Sequence, residues 1–342
     1  MKQFNFAEDV VSTEITVTDG FGDGGLGIVT ANSFTTSSLS SAQKKYYYNL
    51  QYNSKDHLSV SYGHRAGSGS AEQGTNVEGE TKAIYGQFYN LTENDRTKLK
   101  RNTGFIFNSV TASDAYFVVC ERLQMKDRLN PGTWTFALSG SNSAGTRTTL
   151  HLTDNSKTTD ASAAPFGERY SIYSGSAGSV VSTGTEYGHF YPDAGLFVLD
   201  ANSLSSSIPG TPGYEKSASI LDTEGSGLAP DLNVAESTDN AIKLANAFIK
   251  GSTTLRSEEY QYIYDYFCRA KANEFNYSQN LTFWSGSQYE IRHSDMQNNP
   301  QVYITEVGLY DEAGDLMAIG RLSSALEKNF SSEAIIKVRL TY

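Results

Sequence analysis

The chain has 342 residues, of which 38% are hydrophobic, 12% aromatic and 19% charged, with 22 Tyr and 17 Phe. That length suffices for a core without disulfides or metal, and so many aromatics argue against disorder. The formal charge is −11, from 38 acids and 27 bases; no basic run exceeds Lys44-Lys45 or Lys98–Arg101, which speaks against a nucleic-acid binder.

Glu14–Thr18 alternates apolar and polar residues and reads as a strand, broken by the Gly-rich run Asp19–Gly27. Ile28–Phe34 reads as a second strand. Lys45–Tyr52 and His57–Gly63 read as a strand pair, with Leu58, Val60 and Tyr62 on one face by period two. Ala66–Glu80 is a Gly/Ser loop. Thr81–Leu91 places Ile84, Phe88 and Leu91 at helical spacing and predicts a short amphipathic helix. Strands follow at Phe105–Val110, Ala115–Leu123, Thr133–Leu138 (after the turn Asn130-Pro131-Gly132), Thr148–Leu152, Arg169–Tyr173 and Gly195–Asp200.

Ala201–Asn233 is rich in Ser, Gly and Pro and reads as a loop. Thr238 is the expected cap of a helix over Asp239–Lys250, with Ile242, Ala245 and Ile249 on one face and Gly251 at its stop. Arg256–Phe275 reads two ways: Glu258 and Glu259 would suit the first turn of a helix, while Tyr260, Tyr262, Tyr264 and Tyr266 alternate strictly, which favours a strand from about Tyr264 to Ala272. Val302–Tyr310 is apolar on both faces and pairs with Leu316–Leu322 across the turn Asp311–Asp315, where Gly314 offers positive φ. The two-faced arm is expected to be a central, covered strand. Ile336, Val338, Leu340 and Tyr342 alternate with Lys337, Arg339 and Thr341, as in a half-buried terminal strand with a charged outer face.

Short strands separated by turn-rich loops predict a mainly β fold: antiparallel sandwich-like sheets with long loops and one or two short helices. Two regions are expected. Residues 1–112 form a β-rich region with a short helix at 81–91. Residues 113–342 form a β-sandwich-like region with a loop and helix insertion at 201–251. The long loops 66–80 and 201–233 are expected to order only against neighbours.

The chemical motifs are weak. Gly20, Gly22 and Gly25 fit GxGxxG after a strand, but no helix opens there and no acid follows at the required distance, so a Gly-rich turn is the ordinary reading. Asp19 and Asp23 lack EF-hand spacing. Ser41 to Lys44 fits SxxK without its companion Lys-Thr-Gly. His57, His64, His151, His189 and His293 are scattered, and none pairs with a cysteine, which argues against zinc. His64-Arg65 is the one polar pair that invites inspection. Carboxylate pairs of the glycosidase kind cannot be read from spacing. Cys120 and Cys268 sit in apolar or aromatic runs and are expected to be buried free thiols of a reducing compartment. Met1–Val10 has no apolar core, so no secretory signal is expected, and no apolar run reaches the length of a membrane span. No catalytic, cofactor-binding or metal residue is assigned.

The run Ile304–Gly320 (ITEVGLYDEAGDLMAIG) resembles a hairpin of tail-fibre and baseplate-associated phage proteins. Further pieces are spread in order along the chain: Val60–Ser70, Lys82–Phe88, Leu129–Trp134, Tyr187–Gly195, Arg269–Ser278 and Ile335–Tyr342. Together they resemble virion structural proteins of T4-like tailed phages, of the cyanophage type. The resemblance implies a non-enzymatic tail or baseplate component without cofactors, placed first in a baseplate wedge and second at the neck or fibre attachment. It implies other tail and baseplate proteins as partners and allows a homo-oligomer; neither nucleic acid nor a membrane is expected. Its location would be the virion, after assembly in the host cytoplasm. Two other classes compete. A receptor- or glycan-binding fibre module predicts an exposed aromatic groove with polar groups in a trimeric fibre; the absence of fibre-like short repeats speaks mildly against it. A polysaccharide depolymerase predicts a concave acidic cleft, which spacing does not reveal, and β-helix periodicity, which is not visible.

Overall fold

The computed structural model describes residues 4–20, 28–38, 46–67, 79–93, 104–141, 147–165, 167–207 and 237–342. The chain separates into two compact units: Val17–Glu259, and Met1–Thr16 together with Tyr260–Tyr342. This differs from the expected division after residue 112. A cut there would separate Lys55–His64 from Asp114–Cys120, neighbouring strands that pair in register from Leu58↔Cys120 to His64↔Asp114. Pairing over such sequence distances leaves no mark in local composition.

The fold is mainly β and antiparallel, as the patterning predicts. Among the described residues the helices are Phe6–Asp9, Glu80–Thr92, Ala201–Ser207 and Ser237–Lys250. The elements used below are, in chain order, β1 (Val10–Gly20), β2 (Tyr48–Tyr52), β3 (Lys55–His64), α1 (Glu80–Thr92), β4 (Asp114–Cys120) and β5 (Thr135–Ser141). They continue with β6 (Arg147–Asp154), β7 (Gly167–Ser176), β8 (Gly188–Tyr191), β9 (Leu196–Asp200), α2 (Ser237–Lys250) and β10 (Ser252–Thr254). The last four are β11 (Arg256–Ala270), β12 (Val302–Tyr310), β13 (Leu316–Lys328) and β14 (Ala334–Thr341).

The first unit is built on one large sheet, in the order Ile28–Val29, β10, β5, β6, β7, β8, β9, β4, β3, β2 and Thr35–Thr36. The sheet curls on itself. Phe136 on β5 and Phe197 on β9 are separated by three strands in the order, yet their ring centroids lie 4.6 Å apart. α2 fills the curl, with Phe248 edge-on to Phe136 at 4.9 Å. Trp134, Phe190, Leu58, Val60, Tyr62, Tyr116 and Val118 complete this core.

The central strands are covered on both faces. Tyr116, Val118 and Cys120 of β4 face the curl, while Ala115 and Phe117 face a second core under α1. There Phe88 stacks on Phe117 at 4.2 Å, beside Tyr85, Phe105, Leu196 and Val198. This explains why β4 reads as an unbroken apolar run rather than an alternation. Each buried aromatic of this kind stabilises the unit by about 1.5–3 kcal/mol.

Several local expectations shift. α1 buries Thr81, Ile84 and Tyr85, whereas Leu91 is exposed. The Tyr85 hydroxyl explains the rotation: it donates to the Ala112 carbonyl and accepts from the Phe105 N–H, each at 2.9 Å. α1 also presses on β3, since a Cβ at Gly63 would lie 2.7 Å from the Tyr85 nitrogen. α2 starts at Ser237 and is buried all round from Ala241 to Ile249, not on one face alone. Phe105–Val110 is a tight hairpin of Ile106–Phe107 and Val110–Thr111, turned by Asn108 and Ser109 at positive φ. Ala201 opens a helix instead of a loop, because the Asp200 carboxylate accepts from the Asn202 and Ser203 N–H groups. The strand expected at Tyr264–Ala272 begins at Arg256. The loop cores 68–78 and 208–233 lie outside the described residues.

In the second unit β11 pairs with β14 from Ile263↔Thr341 to Ala270↔Ala334, and with β1 on its other side. β14 alternates as the sequence predicts, with Ile336, Val338 and Leu340 half-buried and Lys337, Arg339 and Thr341 outward. The outward cations converge on Asp265: Arg339 donates from Nε and Nη2 at 2.8 and 3.0 Å, and Lys337 Nζ lies at 2.7 Å. Those contacts hold the Asp265 carboxyl well below its usual range. Tyr264 and Tyr266 lie on the opposite face, where Tyr264 meets Tyr342 and Tyr266 meets Phe4.

Candidate functional site

β12 and β13 form a two-stranded sheet of their own. Gly314, at φ 89°, closes the turn between them, and the Asp315 N–H donates to Asp311 Oδ1 at 2.8 Å. The covered central strand expected at Val302–Tyr310 is therefore not what the chain makes. The register places Val307 opposite Gly320, Leu309 opposite Ala318 and Gly308 opposite Ile319. Ile304, Val307, Leu309, Ala318, Gly320 and Leu322 are buried or half-buried on one face. That face meets β14, since a Cβ at Gly320 would touch the Val338 side chain at 3.3 Å.

The other face is open. A bulge after Ile304 puts Tyr303, Thr305, Glu306, Gly308 and Tyr310 on it, all exposed. Tyr310 and Leu316 lean over Gly308, 2.9 and 3.2 Å from where its Cβ would stand. Tyr303 is 55% exposed, Tyr310 46%, Leu316 47%, Met317 71% and Ile319 53%. Between them Glu306 and Arg321 form a register pair, with Nε 3.3 Å from Oε2. On this face Tyr310, Leu316, Met317 and Ile319 lie to one side of the ion pair and Tyr303 to the other. The preceding segment adds exposed Phe275, Tyr277, Leu281 and Tyr289 in the same unit.

The first unit contains a polar cleft of ≈ 380 Å³ lined by His64, Asn108, Asp114, Asp200 and Ser203 among others. Burial raises the Asp114 carboxyl, against the Tyr62 hydroxyl that donates to it at 3.0 Å, and the Asp200 charge adds to the rise. Burial also lowers His64, helped by Arg65. The Ala66 N–H donates to His64 Nδ1 at 3.0 Å, so a neutral ring carries its proton on Nε2. Asp200 caps a helix, and the Asn108 amide is engaged with the Glu186 backbone. These groups hold a corner of the fold together. In the same corner the Ser203 hydroxyl donates to Asp200 Oδ2.

Beside the tight hairpin Ile106–Thr111, whose Phe107 ring lies 5.0 Å from that of His189, is a cluster no sequence spacing announced. Arg169 Nη1 donates to both Glu93 oxygens at 3.0 and 3.2 Å, and the Tyr191 hydroxyl donates to Glu93 Oε1. His189 sits between Glu93 and Glu186 with each ring nitrogen 3.5 Å from a carboxylate oxygen. At that length these are charge contacts rather than short hydrogen bonds. Burial pushes Glu93 up, but His189, Tyr191 and Arg169 outweigh it and hold the carboxyl at about 2. Burial likewise pushes His189 down, and Glu186 and Glu93 overcome it to raise the imidazole above its usual value. The cluster ties the end of α1 to β7 and β8.

Of the other residues singled out in the sequence, Gly22, Asp23, Gly25, Ser41 and Lys44 lie outside the described residues. Gly20 ends β1. His57 is buried with Nδ1 2.9 Å from the Lys55 carbonyl, while His151 and His293 are exposed. Cys120 and Cys268 are free thiols, the first buried and the second half-buried. No group of three metal-binding side chains occurs among the described residues. No described helix is long and apolar enough to cross a membrane.

Set against protein-family models, curated proteins and solved structures, the chain matches none. The open face of the hairpin thus rests on its own geometry.

Proposed function

We propose that this chain is a non-catalytic structural subunit of a tailed-phage particle, placed in the baseplate and acting through protein–protein contacts. The observation that carries the reading is the open face of β12 and β13. It belongs to the same run, Ile304–Gly320, that resembles the hairpin of phage tail and baseplate proteins, and it exposes aromatic and aliphatic side chains with little charge. Contact cores favour Tyr, Met and Arg and are poor in Lys, Glu and Asp; this face carries Tyr303, Tyr310, Met317 and Arg321, with Glu306 as the acid paired to Arg321.

The test is the particle. Mass spectrometry of purified phage, with labelled antibody seen by electron microscopy, should find the chain as a stoichiometric component at the baseplate. Its absence from washed particles, or its presence only as a free protein in the lysate, would overturn the reading.

A further inference from the structure

We propose that Lys328 and Asn276 become joined in the folded chain by an amide bond between their side chains, formed by the chain itself with release of ammonia. The proposal stands apart from the assembly reading, since it concerns only the interior of the second unit.

Burial and distance point to the pair. Lys328 ends β13, and Asn276 lies in the bend that follows β11, in the same unit. Lysine is almost never fully buried without an ionic partner, yet Lys328 is 0% exposed and Asn276 1%. Lys328 Nζ donates to Asn276 Oδ1 at 2.6 Å, to the Asn329 carbonyl at 2.9 Å and to the Ala272 carbonyl at 3.2 Å. Cγ of Asn276 is one C=O bond from Oδ1, about 1.23 Å, so Nζ stands within about 3.8 Å of it. A small side-chain rotation brings that to the about 3–3.5 Å of a near-attack pair. The backbone supports the same placement. Phe275 takes φ 54°, an outlier for an aromatic residue. Its ring is left 55% exposed while the polar Asn276 goes inside, the reverse of what hydrophobicity alone selects.

The surroundings suit the reaction. None of the three acceptors is a carboxylate, so no ion pair among them holds the charge on Nζ. A buried ammonium without an opposite charge is costly, and amide formation removes that charge from the interior. The Ala272 carbonyl also accepts from Asn276 Nδ2 at 2.7 Å. One oxygen therefore touches the attacking and the leaving nitrogen, and it fixes which end of the amide faces the lysine. In the step, Nζ loses a proton and attacks Cγ, and the C=O electron pair moves to Oδ1. The tetrahedral carbon then restores C=O as the Cγ–Nδ2 bond breaks. The two protons lost by Nζ leave on Nδ2, which departs as ammonium. Atoms and charge balance without oxidant, reductant or external reactant. The new bond spans 52 residues of chain and fastens the end of β13 to the end of β11.

The experiment is intact-mass spectrometry of the denatured full chain. The mass should fall below the 37.4 kDa of the sequence by one ammonia. Trypsin should fail to cut after Lys328 and should release Leu322–Lys337 joined to Ala272–Arg292. Lys328→Arg keeps a charged donor without a nucleophilic amine, and Asn276→Ala removes the acyl group. Each should restore its own sequence mass and give separate peptides, with folding checked by circular dichroism. A parent at its full sequence mass would overturn the proposal. So would an ammonia deficit without the joined peptides, or one that persists in Lys328→Arg. The parent alone decides the matter if a variant does not fold.

Discussion

Replacing Glu93 by Gln removes one carboxylate from the centre of the buried cluster and leaves its shape nearly unchanged. In the folded chain that carboxyl is held at about 2; in an unfolded chain it would titrate near 4.3. The difference is worth about 3 kcal/mol of stability at neutral pH. The Glu93 side chain is 22% exposed, so solvent screening brings the expectation to about 2–3 kcal/mol. Because the folded value is the lower one, this contribution is complete above about pH 4.3 and is lost as pH falls towards 2. Urea unfolding read by fluorescence is the assay. Trp134 reports the first unit from its core, and a Trp284→Phe background silences the only other tryptophan. At pH 7 the Glu93→Gln variant should be less stable by about 2–3 kcal/mol, and the gap should close as pH approaches 2. A gap that stays constant with pH would refute the reasoning, because the loss would then come from packing rather than charge.

The histidine of the same cluster predicts the opposite slope. Its folded value is raised, so its stabilisation is present below about 6.5 and is lost as pH rises through the elevated value. His189→Gln should flatten the alkaline limb of a stability–pH curve, and an unchanged limb would show that His189 is neutral in the fold. Gly63→Ala should cost about 1–3 kcal/mol by thermal unfolding, because the added Cβ would meet the α1 backbone; a neutral effect would mean that α1 shifts freely. Burial raises both thiols, Cys120 far more strongly. Aromatic disulfide reagents at pH 8 should therefore modify Cys268 first and reach Cys120 only on unfolding, and rapid labelling of both would contradict the buried placement.

The sequence displayed the strands because residues such as Leu58, Val60 and Tyr62 keep period two, and it displayed α2 because Ile242, Ala245 and Ile249 keep helical spacing. Boundaries moved where tertiary contacts decide them. Leu91 lost its place on the buried face of α1 to Tyr85, whose hydroxyl bridges two backbone groups no local pattern reveals. The domain division was illegible for the same reason, since it depends on which distant strands pair. At the hairpin, patterning gave the strands and the turn but the wrong environment. Apolar residues on both faces of Val302–Tyr310 mean that both faces seek cover. They do not say whether the cover comes from the same chain. The cluster of Glu93, Glu186 and His189 left no trace at all, because its members are scattered in sequence and charge at single positions is usually solvated surface.

The second unit draws on both ends of the described chain, with β1 beside β11. During synthesis this has a temporal consequence. β1 leaves the ribosome long before its neighbour exists, and at roughly 5–20 residues per second the wait is on the order of tens of seconds. Throughout that interval its hydrogen-bonding edge has no native partner, while the first unit, whose strands lie wholly between, can fold undisturbed. The second unit closes only after β11 and β14 have been made. The open hairpin, which packs on β14 of that unit, finds that neighbour only at that point.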